Sequence, residues 1–210
     1  MPEGNGNNDI TTGNPHLTIA EDNALSDEAL MARIARRDAR AFEILVRRHQ
    51  RRMLNLIYRF IGDRIQAEDV AQEVFLRVWR AAADYKPHSK FTTWVYRITI
   101  NLCLDALKKT QRRQPFADLY ADAENQDENV EVLDGCERAP SPEKLLIDAE
   151  ESRRIFAALK DLPANQRLAV VLAKFDGLSY GEIGQVLGSS VSAVESLLVR
   201  AKKALRMRLV

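Results

Sequence analysis

Between Lys86 and Arg113 seven basic side chains stand against a single acid, Asp105, and the rings of Tyr85, Phe91, Trp94 and Tyr96 lie in the same stretch. Cations that follow a phosphate backbone, interleaved with rings that stack on or pocket unpaired bases, suit single-stranded nucleic acid. Trp94 and Tyr96 fit equally well as core residues of a buried helix. Phe91, beside a polar loop, is the ring better placed for direct contact. A second basic group, Arg200, Lys202, Lys203, Arg206 and Arg208, closes the chain. The residues needed for catalysis are missing. There is no Gly-rich phosphate loop, no nucleophile motif, no Cys/His cluster of metal spacing and no carboxylate pair with a histidine. No catalytic residue, metal or cofactor is therefore expected. His49 lies on a core-facing stripe, and Cys103 sits in an apolar helical run as a small core residue.

The elements that would position these residues are helical throughout. Ser26-Asp27-Glu28 supplies an N-cap and an acidic first turn for a short helix to about Arg36. Asp38 opens a longer helix whose apolar positions, from Ala41 through Leu45, Met53 and Ile57 to Phe60, recur at three- and four-residue steps. Gly62-Asp63 ends it. A third helix is predicted from about Ala67 to Ala83, with Val70, Val74, Phe75, Val78 and Trp79 as its apolar stripe. Its outer side runs from Glu68, Asp69, Gln72 and Glu73 to Arg77 and Arg80. That order is accounted for by a solvated face matched to the helix dipole, and equally by a polar interaction face with Phe75 and Trp79 as anchors. Residues 84–90 read as a polar loop broken by Pro87. The fourth helix runs from about Thr92 to Arg112.

Composition then shifts. Twelve acids and only two bases, Arg138 and Lys144, lie between Phe116 and Glu151. This stretch reads as an acidic, flexible interdomain linker, and the Gly/Asn-rich residues 1–24 read as a disordered tail. Helices are expected over about 142–159 and 165–175. Ser179-Tyr180-Gly181-Glu182 forms a capping box, Gly188 ends its helix, and Ser192-Ala193-Val194-Glu195 forms a second box opening the last helix. Two short capped helices around a Gly turn make a helix-turn-helix, whose second helix meets base edges with its first turns. The alternative is a helical hairpin with a solvated basic face. At 210 residues, 46% hydrophobic and net charge +1, the chain can bury a real core. It lacks an N-terminal signal pattern and any apolar run of membrane-spanning length. A cytoplasmic protein of two small all-α domains is expected, residues 25–113 and 142–210, joined by residues 114–141.

Three motifs carry a family resemblance. Ala67–Arg80 (AEDVAQEVFLRVWR) resembles the core-polymerase-binding helix of the extracytoplasmic-function sigma factors of the sigma-70 family. Phe91-Thr92-Thr93-Trp94-Val95-Tyr96-Arg97-Ile98, followed by Asn101, resembles their −10 promoter segment. Asp176–Ile183 (DGLSYGEI) resembles the start of their −35-reading helix-turn-helix. The resemblance spans about residues 25–113 and 142–208. It implies docking on the clamp coiled coil of the largest polymerase subunit through Asp69, Gln72, Glu73, Phe75, Val78 and Trp79, with a further contact to the flap of the second-largest subunit. Capture of the melted −10 strand, with a flipped base, would fall to Lys86, His88, Lys90, Phe91, Arg97, Asn101, Lys108 and Arg112. Reading of the −35 duplex would fall to Ser179, Tyr180, Ser192, Ser196, Val199, Arg200 and Lys203. The chain departs from the family at Glu195 and Leu197, where basic residues are frequent. Glu195 would repel phosphate, accept from a cytosine amino group, or serve only as capping partner of Ser192. The resemblance further implies a monomer when free, held inactive by an anti-sigma protein. An ordinary helix-turn-helix regulator would explain residues 142–210 and leave residues 85–113 without a role. It is distinguished by specific DNA binding that needs no core polymerase.

Overall fold

A computed structural model of the chain describes residues 24–86, 90–117 and 154–209, and residues 111–117 by their backbone alone. All regular structure among the described residues is helical. Helix α1 spans Asp27–Ile34, α2 Ala39–Ile61, α3 Arg64–Ala81 with a 3-10 turn over Ala82–Asp84, and α4 Phe91–Ala117. A helical stretch over residues 154–160, α5, opens the second part. Then come α6 (Ala164–Val170), a π-helical turn (Val171–Phe175), α7 (Tyr180–Leu187) and α8 (Val191–Leu209).

Short polar side chains set the helix ends. The Ser26 hydroxyl accepts from Ala29 N, and Asp38 accepts from the amides of Arg40 and Ala41 at 3.0 and 3.1 Å. These bonds satisfy amides that a helix start leaves without partners. Gly62, at φ 80°, ends α2 in the left-handed conformation that a side chain would oppose, and the next residue, Asp63, caps α3 through Gln66 N at 2.8 Å. Helix α3 therefore starts at Arg64, earlier than its apolar stripe suggested, because Asp63 opens a helix as well as following the end of one. Helix α4 runs on to Ala117, past the expected end near Arg112. The tail, most of the acidic stretch and residues 142–153 of the predicted helix lie outside the described residues.

Helix α2 is the axis of the N-terminal bundle. Leu45, Met53, Leu56, Ile57 and Phe60 are buried at most 1% exposed, and α1, α3 and α4 close around them. Burying such side chains contributes about 1.5–3 kcal/mol each, which is ample reason for the stripe to face inward. In the C-terminal bundle α6 and α7 pack on α8. Leu159, Leu162, Val170 and Ala201 form a small core there. A second set, Leu168, Val171, Leu172, Ile183, Val186 and Val194, belongs to one buried cluster that continues into the N-terminal bundle. The two bundles are thus packed together, with the π-turn at their junction.

Candidate nucleic-acid interface

Helix α4 begins where a backbone amide meets a distant acid: Phe91 N donates to Glu28 Oε1 at 3.1 Å. The Phe91 ring is fully buried, centred 5.2 Å from His49, 5.9 Å from Trp94 and 6.4 Å from Tyr85. It is a core residue, which overturns the expectation that it stands ready for a base. Hydrophobic burial won over proximity to the loop, and the half-buried ring in this cluster is that of Trp94, edge-on to Tyr85 at 5.0 Å. His49 is held inside by Asp27, 2.9 Å from its Nε2, with Arg48 on the same carboxylate at 2.5 Å. Burial raises the Asp27 carboxyl, but the bonds and charge of His49 and Arg48 outweigh it and hold the group below its ordinary value of 3.8.

Lys86, Lys90, Arg97, Asn101 and Lys108 stand exposed. Lys108 lies 3.8 Å from Asp105. His88 and the Arg112 side chain lie outside the described residues. Arg97 does not face open solvent alone: its Nε donates to the Gln185 carbonyl on α7 at 2.8 Å, and Lys90 Nζ lies 3.8 Å from Glu182. The neighbour of Arg97, Tyr96, is buried, and the Tyr96 hydroxyl donates to Asp176 Oδ1 at 2.9 Å. Burial first, and Asp176 second, push that phenol up, so it stays a neutral donor. Arg52, on α2, completes the group. Its Nε donates to the same oxygen at 3.2 Å, its Nη2 to the Asp176 carbonyl at 2.6 Å, and its guanidinium lies 5.5 Å from the Tyr96 ring centre. Asp176 Oδ2 is buried and makes no hydrogen bond. Burial pushes its carboxyl up despite the bonds from Tyr96 and Arg52. A cleft of about 150 Å³ runs beside these groups between the two bundles. Nothing in the sequence pairs Arg52 with Asp176. Arg52 is one of nine arginines between Arg33 and Arg59, and Asp176 sits in an Asp-Gly pair that signals a turn ahead of the helix-turn-helix.

Arg167 pins the junction from the other side. Its guanidinium lies over the Phe60 ring at 5.3 Å and donates to the carbonyls of Phe60 (2.6 Å), Leu162 and Lys160. Arg59 lies over the Phe175 ring at 4.5 Å.

On α3, Asp69 and Gln72 are exposed and Glu73 and Trp79 half-buried, while Phe75 and Val78 are buried. Those two belong to the core rather than to a docking face. The outward row instead includes Ile65 and Leu76, 77% and 46% exposed. Steps of four, three and four residues from Ile65 through Asp69 and Gln72 reach Leu76, so the four share one face of α3.

The helix-turn-helix forms as its capping predicts at α7. Ser179 Oγ accepts from Glu182 N, and Ser179 N donates to Glu182 Oε2 at 3.0 Å, completing the box. That amide and the Ser179 hydroxyl hold the Glu182 carboxyl low. Gly188 ends α7 at φ 64°. A Cβ on Gly184 would meet the Ser189 carbonyl at 2.8 Å, so only glycine allows the turn to close. The second box does not form at Ser192. Helix α8 opens at Val191, and Ser190 Oγ caps it through Ala193 N at 3.2 Å. Glu195 is exposed one turn later, so its role as capping partner of Ser192 falls away. Ser192, Ser196, Val199, Arg200 and Lys203 are all exposed and share one face of α8, above buried Val194 and Ala201. Ser179 and Tyr180 stand exposed at the start of α7. The thiol of Cys103 is buried and pushed up to about 12 by that burial, as an inert core residue should be. Among the described residues no group of three or more metal-binding side chains occurs, and no helix is long and apolar enough to cross a membrane.

Residues 45–113 match the family model of sigma-70 region 2, and residues 152–205 match that of sigma-70 region 4. RNA polymerase sigma-H factor of Pseudomonas aeruginosa is 37% identical over 179 residues, covering 85% of this chain and 91% of the relative. The extracytoplasmic-function RNA polymerase sigma-E factor of Escherichia coli K12 is 34% identical, over 86% of this chain and 93% of the relative. Among solved structures, CnrH in complex with the cytosolic domain of CnrY is similar with TM-score 0.63 and 27% identity, over 87% of this chain and 96% of that one. The sigma factor RpoE of Bartonella quintana, solved with the anti-sigma factor NepR, shares the fold at TM-score 0.59 and 19% identity, over 80% of this chain and 96% of that one.

Proposed function

The chain belongs to the sigma-70 family of RNA polymerase sigma factors, in its extracytoplasmic-function group, and from that premise we propose how its two bundles divide the work of promoter recognition. A sigma factor directs core polymerase to promoters, and the family acts as regulators of transcription that are not known as enzymes. The N-terminal bundle, about residues 25–113, docks on the clamp of the polymerase through the outward row of α3, with Ile65 and Leu76 beside Asp69 and Gln72. Its helix α4 presents Lys90, Arg97 and Asn101, with Trp94 nearby, to the melted −10 strand. The C-terminal bundle, from about residue 142, lays α8 in the major groove of the −35 duplex. It anchors the phosphate at the start of α7 through the amide of Tyr180, because the Ser179 amide is already taken by Glu182. The bundles act as separate domains linked through residues 114–141, in a cytoplasmic chain that is monomeric when free and performs no catalysis. CnrH with CnrY and RpoE with NepR support control of this chain by an anti-sigma partner.

The observation that carries this reading is the single exposed face of α8 formed by Ser192, Ser196, Val199, Arg200 and Lys203 on a correctly capped helix-turn-helix. Run-off transcription from a randomised promoter library, with and without bacterial core polymerase, tests it. Defined starts are expected only with both components. Arg200→Ala should relax one enriched −35 position by about 1–3 kcal/mol of discrimination. Arg97→Ala should weaken −10 selection and leave the −35 enrichment in place. Selection of duplex sites without polymerase, and no directed initiation, would make the chain an ordinary helix-turn-helix regulator.

A further inference from the structure

The junction between the bundles places an acid of one on cationic and hydroxyl donors of the other. Asp176 leaves the π-turn and buries its carboxylate, 3% exposed, against Arg52 and Tyr96. The pairing is a small anion site. One oxygen takes both a guanidinium N–H and a phenol O–H, and the backbone carbonyl of the same residue takes a second guanidinium N–H. Tyr96 stands next to Arg97 on α4, and Arg97 is itself engaged by the Gln185 carbonyl. Two of the donors that hold the second bundle in place, Tyr96 and Arg97, therefore lie on the helix that takes the melted strand under the function proposed above, a reading on which this inference rests, and Arg52 joins them from α2.

We infer that Arg52 and Tyr96 form a phosphate subsite for the single strand, and that the Asp176 carboxylate occupies it as an intramolecular stand-in while the bundles are packed together. A carboxylate and a phosphodiester ask for the same donors, so the two compete. Strand binding and separation of the bundles are then linked: whatever binds the open form better than the closed one draws the chain open, and an open chain binds the strand more tightly. The occlusion is incomplete by construction. Asp176 Oδ2 is buried with no hydrogen bond, and Lys90 stays mostly exposed at 3.8 Å from Glu182. The closed state holds a charged group without full compensation, and a longer run of phosphates can displace it.

The test uses the full chain and a fluorescein-labelled thymidine oligonucleotide of about twelve nucleotides, a length within the usual site size for single strands. Asp176→Lys places a cation beside Arg52 and should open the chain. Asp161→Lys changes the net charge by the same amount on an exposed acid of the same bundle. By fluorescence anisotropy, Asp176→Lys should bind the oligonucleotide about tenfold more tightly than Asp161→Lys, and small-angle scattering should show a larger radius of gyration. Equal affinities for the two variants would overturn the subsite, because charge alone would then explain the gain. The wild-type chain gives an independent reading should Asp176→Lys not fold. Its radius should grow on saturation with oligonucleotide, and a radius unchanged at saturation would overturn the competition. A chain that binds no oligonucleotide in any form, even with core polymerase, would remove the −10 reading itself.

Discussion

Helices α8 and α4 both carry a row of cationic and polar side chains over a buried stripe. Helix α8 offers its row to solvent, whereas the first two turns of α4 face the other bundle, with Arg97 on the Gln185 carbonyl and Tyr96 on Asp176. Duplex DNA is present before polymerase arrives, so on the function proposed above the row of α8 can stand ready in the free protein. A melted strand exists only after polymerase has opened the promoter, and on the function proposed above the helix that would read it has Tyr96 and Arg97 engaged by the other bundle in the free chain. On that reading the two contacts are prepared differently because their ligands become available at different times.

The largest effect should come from the ring cluster under α4. Phe91→Ala removes a fully buried ring and should cost about 3–5 kcal/mol of stability, seen as a lowered thermal midpoint of the full chain. Trp94→Ala, at a half-buried ring, should cost less stability and about 1–3 kcal/mol of oligonucleotide binding by the polymerase-bound chain. The reverse pattern, with Phe91→Ala stable but deficient in strand binding, would restore Phe91 as the contacting ring.

A smaller effect is expected in the other region. In Gly184→Ala the new methyl meets the Ser189 carbonyl at 2.8 Å, and overpacking of this kind costs about 1–3 kcal/mol. Promoter starts that depend on the −35 element should weaken, while oligonucleotide binding should persist. Loss of both together would mean that the bundles unfold as one and that the comparison between them is too sharp.

The smallest effect is a difference in acid sensitivity. His49 and Arg48 hold Asp27 below its ordinary 3.8, so the folded N-terminal bundle binds that proton less readily than the unfolded chain does. Its contribution is fully present above 3.8 and is lost as pH falls through the lowered value. Denaturant midpoints measured between neutral pH and pH 3 should fall for the wild type, and fall less for Asp27→Asn, which starts lower. Parallel curves would show that Asp27 is not the group responsible.

Much of this was legible beforehand because the signals are local. Ser26, Asp38, Ser179 and Gly188 mark helix ends by chemistry that acts within three or four residues, and the structure uses them so. Periodicity marks which side of a helix is apolar, but not whether the apolar side meets the chain's own core or a partner. Phe75 and Val78, given a docking role by the resemblance, and Phe91, given a contact role by its place beside the loop, are all buried in the chain's own core. Capping also becomes ambiguous where two serines are near neighbours. Ser190 won over Ser192 because a start at Val191 leaves its hydroxyl within reach of Ala193 N. The union of Arg52 with Asp176 had no local signal at all. The two residues are 124 positions apart, and each looks ordinary among its neighbours.

The joint at Gly62-Asp63 has a mechanical side. It is two residues long, closed by a left-handed cap on one helix and a carboxylate cap on the next, so it has little slack. Arg52 lies about 14 Å along α2 from that joint, at the helical rise of ~1.5 Å per residue. A partner that tilted α3 and carried α2 through roughly a tenth of a radian would swing Arg52 by about 1.4 Å, more than a hydrogen bond tolerates. Grip on the outer row of α3 would thus be felt as leverage at the far arm of the same elbow, where the carboxylate is held.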